Sequence, residues 1–360
     1  MTSRKQNPFQ TLIRIGIDSG GGSLKVICNL FDPEKERCED QSSHGTYSGI
    51  NHSIVLAYCE NLQETHKNLA ILLDLLKLED CKYVLAADLK IINILLGISS
   101  HGGMYACAWC EGECELFGGL TRTFLSLDLW HQRYMEAGYR SSEMKDYKNV
   151  VNVCLIKERN KSKLVLEVIP LPELHMLMGF VNHISTYIIF YWPEYKDWVN
   201  SLGCIRRGYH GGTYEGNTCR IILKNCDQLS LRLPIELLPL LCPMRKFEKL
   251  VQGTFGSYLN PCYLQLITDF VCSYKATQEY CSEFLGKKLT LTWKIHIISA
   301  HLKQFIELTG HSLGQYNEQA SESAHSKMKP IIERFNVSQT NSKHSLISRR
   351  IAESFSSTNL

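Results

Sequence analysis

Arg14–Leu30 reads RIGIDSGGGSLKVICNL. Ile13, Ile15 and Ile17 alternate with polar or small residues, as in a strand with one buried face. Asp18 stands where that run ends, glycines follow, and Leu24–Phe31 forms a second apolar run. Residues 12–31 therefore predict a hairpin turned at Gly20–Ser23. A carboxylate in this position suits two chemistries. A glycine hairpin can cradle a nucleotide phosphate, or the strand end can hold a divalent cation.

Working outward, His52–Cys59 (HSIVLAYC) predicts a third strand. Asn61–Leu78 predicts a helix with Leu69, Leu72, Leu73 and Leu76 on one side. Lys82–Asp88 (KYVLAAD) is short, apolar and ends in a carboxylate, so it reads as a buried strand. Ile91–Ile98 follows as a helix. The order strand, strand, strand, helix, strand, helix opens a ribonuclease H-like α/β domain. It also opens half of an actin-like or sugar-kinase ATPase. The ATPase reading requires a second aspartate-glycine phosphate turn, and no convincing one follows residue 31.

The chain has 360 residues, 44% of them hydrophobic and 21% charged, which suits a soluble globular protein with a full core. A net charge of +3 means that any affinity for nucleic acid must come from a local patch. Fifteen scattered cysteines, with no secretory signal in MTSRKQNPFQ, suggest a reducing compartment with buried thiols or metal ligands. The apolar runs fall short of the ~18 residues needed for a membrane span. Residues 115–285 carry helical patterns at Ile221–Leu229, Met244–Val251 and Leu264–Phe284, and read as a mostly helical insertion. Residues 286–335 return to the core. From Asn336 the composition turns to Ser, Thr and Asn, so 336–360 reads as a mobile tail.

The strongest local signal is YACAWCEGEC, residues 105–114. Cys107 and Cys110 are spaced C-x2-C, which lets two thiolates reach one tetrahedral ion from a tight turn. His296 and His301 in KIHIISAH have the spacing that completes a Cys2His2 site, and Cys114 is a spare. The plainer reading is two cysteines adjacent by chance and two ordinary helix histidines. Among the acids, Asp18 and Asp88 each end an apolar strand, and in a ribonuclease H-like sheet those ends are neighbours. Carboxylates there suit a pair of hard cations about 3.5–4 Å apart.

A third acid is available in GQYNEQASESAHSKMKPIIERF. There Asn317 is a candidate helix cap and Pro330 is expected to bend or end the helix. Glu318, Glu322, His325 and Lys329 share one helical face, which is otherwise simply a solvated stripe.

Taken together, these residues resemble the catalytic core of the V(D)J recombinase catalytic subunit and the related Transib-type cut-and-paste transposases. By that resemblance Asp18, Asp88 and Glu322 match a DDE triad, with Glu318 matching an acid one turn earlier. Cys107, Cys110, His296 and His301 match the family's zinc residues. The implied fold is a ribonuclease H-like core interrupted by a large, mostly helical, zinc-bearing insertion. Its parts are residues 1–114, 115–285, 286–335 and 336–360.

The implied activity is DNA cleavage and strand transfer with two Mg2+ or Mn2+ ions and one structural Zn2+. The implied setting is the nucleus, with DNA and optionally a second copy of the chain as partners, and no membrane. The insertion blocks LPELHMLMGFVNH and HGGTYEGNTCRIILKN look like segments of animal proteins derived from mobile elements. Only 17 residues precede Asp18, and the chain ends soon after the Glu322 helix, so a truncated or domesticated copy is expected. The alternative from another class is a non-catalytic DNA- or protein-binding module that keeps the fold and the zinc.

Overall fold

The computed structural model describes residues 10–20, 23–36, 48–99, 103–115, 117–204, 212–335, 347, 350, 351, 353 and 354. The strands are β1 (Leu12–Gly20), β2 (Ser23–Phe31), β3 (Ile54–Glu60) and β4 (Val84–Ala87). The helices follow in chain order: α1 (Pro33–Glu36), α2 (His66–Leu76), α3 (Leu89–Leu95), α4 (Phe124–Glu136), α5 (Glu173–Tyr191) and α6 (Tyr195–Ser201). After them come α7 (Gly216–Lys224), α8 (Cys226–Ser230), α9 (Leu241–Thr254), α10 (Tyr263–Phe284), α11 (Trp293–Thr309) and α12 (Gln319–Phe335). This is a mixed α/β fold.

The chain divides into two units. The first comprises Met1–Glu113, Gly119–Pro172 and Gln315–Leu360. Its four-stranded sheet has the order β3-β2-β1-β4. β1 pairs antiparallel with β2 and parallel with β4, and β2 pairs antiparallel with β3. The hairpin forms where the sequence predicts it, with Gly20 opposite Ser23. Gly21 and Gly22 themselves lie outside the described residues. A parallel β1–β4 pair needs a crossover, and β3 and α2 fill the stretch between the hairpin and β4.

Three local expectations are corrected. First, β1 is buried on both faces, not one: Arg14, Gly16 and Asp18 are buried along with Ile15 and Ile17. The reason is long-range. Arg14 donates to the Gln315 carbonyl and to Asn29 Oδ1, and Gly16 lies against Ser321, so the returning C-terminal segment covers the second face. Second, α2 and α3 start and stop at their caps rather than at the ends of the apolar pattern. Thr65 accepts from Asn68 N and Asp88 accepts from Ile91 N. Third, of the two outcomes expected at Pro330, bending or ending the helix, ending does not occur: α12 runs on to Phe335, and one lost donor does not stop a helix packed on β1 and β2.

The tail expected to be mobile contributes two core residues. Ile347 and Ile351 are buried with Ile27, Ala320, Ala324 and Met328. Their spacing of four places both on one helical face, an apolar signal that the surrounding Ser, Thr and Asn hide.

The second unit comprises Cys114–Gly118 and Glu173–Gly314, and its named elements beyond residue 172 are all helices joined by loops. α5, α9 and α10 meet at an aromatic cluster, where the Phe180 ring lies 4.2 Å from Phe247 and 5.2 Å from Phe270. α11, which the sequence placed with the returning segment, packs on α5 and α10 through its apolar face. Ile295, Ile298, Leu302 and Phe305 on that helix are fully buried. Among the described residues no helix is long and apolar enough to cross a membrane.

Candidate metal centres

The cysteine turn is built within the first unit. Cys110 bridges to Thr121, Arg122 N donates to the Trp109 carbonyl, and Glu111 N donates to the Leu120 carbonyl. Residues 109–111 and 120–122 thus run antiparallel to each other as a short, irregular pair. Trp109 is fully buried and its indole N–H donates to the Ile169 carbonyl at 2.8 Å.

The residue that fixes the turn is Arg122, also fully buried. Its Nε donates to the carbonyls of Cys107 and Cys110, both at 2.9 Å. Its Nη2 donates to the carbonyls of Tyr105 and Lys148 at 3.0 and 2.9 Å. The planar guanidinium fork suits this task, because several carbonyls can be served by one rigid donor group.

Both thiols are buried. Burial first, then the hydrogen bond and charge of Cys110, pushes the Cys107 thiol well above its ordinary range; the backbone N–H groups of Trp109 and Cys110 pull the other way. Two backbone N–H groups aimed at a sulfur favour a thiolate, which is the form that binds metal.

In the second unit, His296 and His301 are buried on α11, with ring centroids 5.3 Å apart. His296 Nδ1 is hydrogen-bonded to the Glu115 carbonyl. A carbonyl can only accept, so Nδ1 carries the proton and Nε2 keeps the lone pair. That is the tautomer of a metal-ligating histidine steered by a backbone partner.

One ligand atom from each of Cys107, Cys110, His296 and His301 lies within 4.8 Å of all the others, and all four residues are buried. Two sulfurs and two imidazole nitrogens at that spacing fit a tetrahedral zinc ion in donor type and number. Cys114, the spare, donates instead to the Leu291 carbonyl at 3.7 Å and is not one of the four.

The acids come from the sheet and its covering helix. Ile17 pairs with Ala87 in the parallel ladder, so Asp18 and Asp88 are the next residues out on adjacent strands. Asp18 is buried and faces Lys25 across the hairpin, Oδ2 to Nζ 3.6 Å. Burial pushes Lys25 down to about 8, although the charge and hydrogen bond of Asp18 act to raise it. Asp88 caps α3, accepting from Ile91 N at 2.7 Å with Oδ1.

Glu322 lies on α12, which packs on β1; its side chain lies outside the described residues. Glu318 is buried just before the helix, and its carbonyl accepts from Ser321 N and Oγ. The sequence predicts Asn317 as the cap of this helix; α12 begins one residue later than that, at Gln319, and Asn317 Oδ1 accepts from Gln319 N just before it.

Residues 46–163 match a family model described as a domain of unknown function, DUF8703. The match takes in Asp88, Cys107, Cys110 and Arg122, and leaves out Asp18, the two histidines and Glu322. None of the curated proteins compared with the chain is similar to it.

Sequence reasoning missed Arg122 and Lys25. Each carried a faint signal: a lone cation inside an apolar strand (SLKVICNLF), and an arginine in LTRTF just past the cysteine turn. What they touch depends on partners that spacing does not name.

Proposed function

We propose that this chain is a transposase-derived DNA-cleaving core that uses a two-metal DDE site, in the manner of the V(D)J recombinase and Transib-type family. The observation that carries the reading is the register of the parallel ladder. It brings Asp18, two residues before the end of β1, and Asp88, the residue just past β4, one step beyond the last pair of the parallel ladder, while the helix bearing Glu322 packs on β1. The sheet order β3-β2-β1-β4, with only β4 parallel to β1, is also the one expected of a ribonuclease H-like core.

Asp18, Asp88 and Glu322 would hold the two Mg2+ or Mn2+ ions. When bound, such a pair supplies an acidified water or DNA 3′-hydroxyl and offsets charge on the leaving oxygen. The chain's own contribution is placement. The hairpin ladder fixes Asp18, the cap to Ile91 N fixes the Asp88 rotamer, and Gly16 lets α12 approach β1 at Ser321. Cys107, Cys110, His296 and His301 would hold a structural zinc, which supplies cross-linking rather than chemistry. The partner is DNA, acted on in the nucleus, with a second copy of the chain as a further partner.

A second reading is a non-catalytic DNA- or protein-binding module. Two observations favour it: Asp18 already has a buried cationic partner, and Asp88 already has a capping role.

The test is nicking of supercoiled DNA by the purified chain with Mg2+ or Mn2+. Nicking that requires metal and disappears in Asp18→Ala and Asp88→Asn supports catalysis at this site. Equal nicking by wild type and both variants removes it. Separately, elemental analysis should find about one zinc per chain, lost with destabilisation in Cys107→Ser or His301→Ala.

A further inference from the structure

Lysine is among the residues least often buried in full, and it stays buried only when its charge is paired. Lys25, the third residue of β2, is buried to 1% exposure between Leu24 and Val26, which are both fully buried. Its side chain faces the Asp18 carboxylate directly across the antiparallel ladder, Nζ to Oδ2 3.6 Å. The carboxylate read as a metal ligand thus has a fixed cation beside it, delivered by the adjoining strand of the same hairpin.

We propose that Lys25 is the resident cation of Asp18: in the metal-free protein its ammonium holds the place that a divalent ion must take over, and so it sets how tightly the chain binds its catalytic metal. The inference rests on the reading of Asp18 as a metal ligand.

The physical argument is competition for one carboxylate. An ammonium at 3.6 Å neutralises a buried carboxylate that would otherwise be costly in an empty site. A divalent ion arriving at the same oxygens is attracted by the carboxylates and repelled by Lys25. It gains by ousting the ammonium and loses whatever that ion pair contributed. Lysine suits a displaceable partner better than arginine does. Its charge is compact, its four-carbon stem is flexible, and it makes no bidentate fork with a carboxylate. The arrangement keeps the fold intact without metal and discourages occupancy at low metal concentration.

The test titrates Mn2+ into the zinc-loaded full chain and reads unbound Mn2+ by its electron paramagnetic resonance signal. Wild type is compared with Lys25→Met, Lys25→Gln, Lys25→Arg and Asp18→Asn, with far-UV circular dichroism and zinc content as checks on the fold. Lys25→Met and Lys25→Gln should bind Mn2+ at least about tenfold more tightly than wild type, because a positive charge beside the site is gone. Lys25→Arg, which keeps the charge, should show no gain, and Asp18→Asn should lose the site.

A gain of affinity is an outcome that mere structural damage does not produce. If the neutral variants bind no better than wild type while Asp18→Asn still abolishes binding, the inference is wrong and the metal reading stands. If no variant shows Mn2+ uptake dependent on Asp18, the metal reading itself falls. Failure of both neutral variants to fold would also overturn the inference, since Lys25 would then serve the fold and not the site.

Discussion

A Cβ built on Gly16 of β1 would lie 3.0 Å from the Cβ of Ser321 on α12, and equally close to Ile27 Cγ1. The helix carrying Glu322 therefore reaches the strand carrying Asp18 across a position with no room for a side chain. Gly16→Val should destabilise the protein by about 1–3 kcal/mol, as overpacking of a tight core does. The coupling to Ser321 can be read directly. Ser321→Gly in the Gly16→Val background should recover part of the loss in a urea-denaturation double-mutant cycle, and additive effects would show that the two residues do not press on each other.

Asp88 has a measurable structural role alongside its proposed catalytic one. Asp88→Ala removes the acceptor for Ile91 N and should cost about 1 kcal/mol of stability. Asp88→Asn keeps a capping oxygen, so its stability should stay within about 0.5 kcal/mol of wild type. Metal-dependent nicking should nonetheless be lost in both. Thermal unfolding beside the nicking assay separates cap from catalyst; an active Asp88→Asn would leave only the cap.

Arg122 organises the cysteine turn without touching a sulfur in any contact described above. Arg122→Met leaves four carbonyls short of a buried donor and should cost about 3 kcal/mol or more. Zinc content should fall as well, although all four ligands remain. Arg122→Lys should rescue little, since a single ammonium cannot replace a planar fork. Urea midpoints and zinc analysis on the three proteins check this, and full retention of zinc in Arg122→Met would show that the turn forms without its clamp.

The thiols should divide by environment. Cys81, Cys242, Cys262 and Cys272 are exposed. Burial pushes the Cys154 thiol up to about 12. At pH 8 its thiolate fraction is on the order of one in ten thousand, so alkylation there should lag far behind the exposed sites in site-resolved mass spectrometry. A zinc chelator should then bring Cys107 and Cys110 into the reactive set while leaving Cys154 slow, unless the whole first unit unfolds.

Much of the hairpin and sheet was legible in the sequence because it is local. The alternation Ile13-Ile15-Ile17, the glycines after Asp18 and the short apolar run before Asp88 specify strands through a period of two residues and a turn, and β1, β2 and β4 form there. The C-x2-C spacing is likewise a property of a tight turn, and H-x4-H sets two histidines about one and a half turns apart on a single helix. They named the four residues whose ligand atoms gather within 4.8 Å.

What the sequence did not carry was burial of charge and the covering of the sheet's second face. Arg14, Lys25 and Arg122 look like surface cations in a linear reading, yet each is buried against partners that only folding supplies. For Arg14 one of those partners is the Gln315 carbonyl, 301 residues away. Ile347 and Ile351, hidden in a polar tail, join the core because α12 brings Ala324 and Met328 to them.

The chain's own spelling thus determined which residues form the hairpin, the cysteine turn and the histidine pair, since periodicity and short spacing act through neighbouring bonds. The tertiary structure alone decided that the Asp18–Lys25 pair is buried, that Arg14 reaches the Gln315 carbonyl and that Arg122 is buried against the carbonyls of the cysteine turn. Those outcomes depend on desolvation and on contacts between distant segments, which no local pattern encodes.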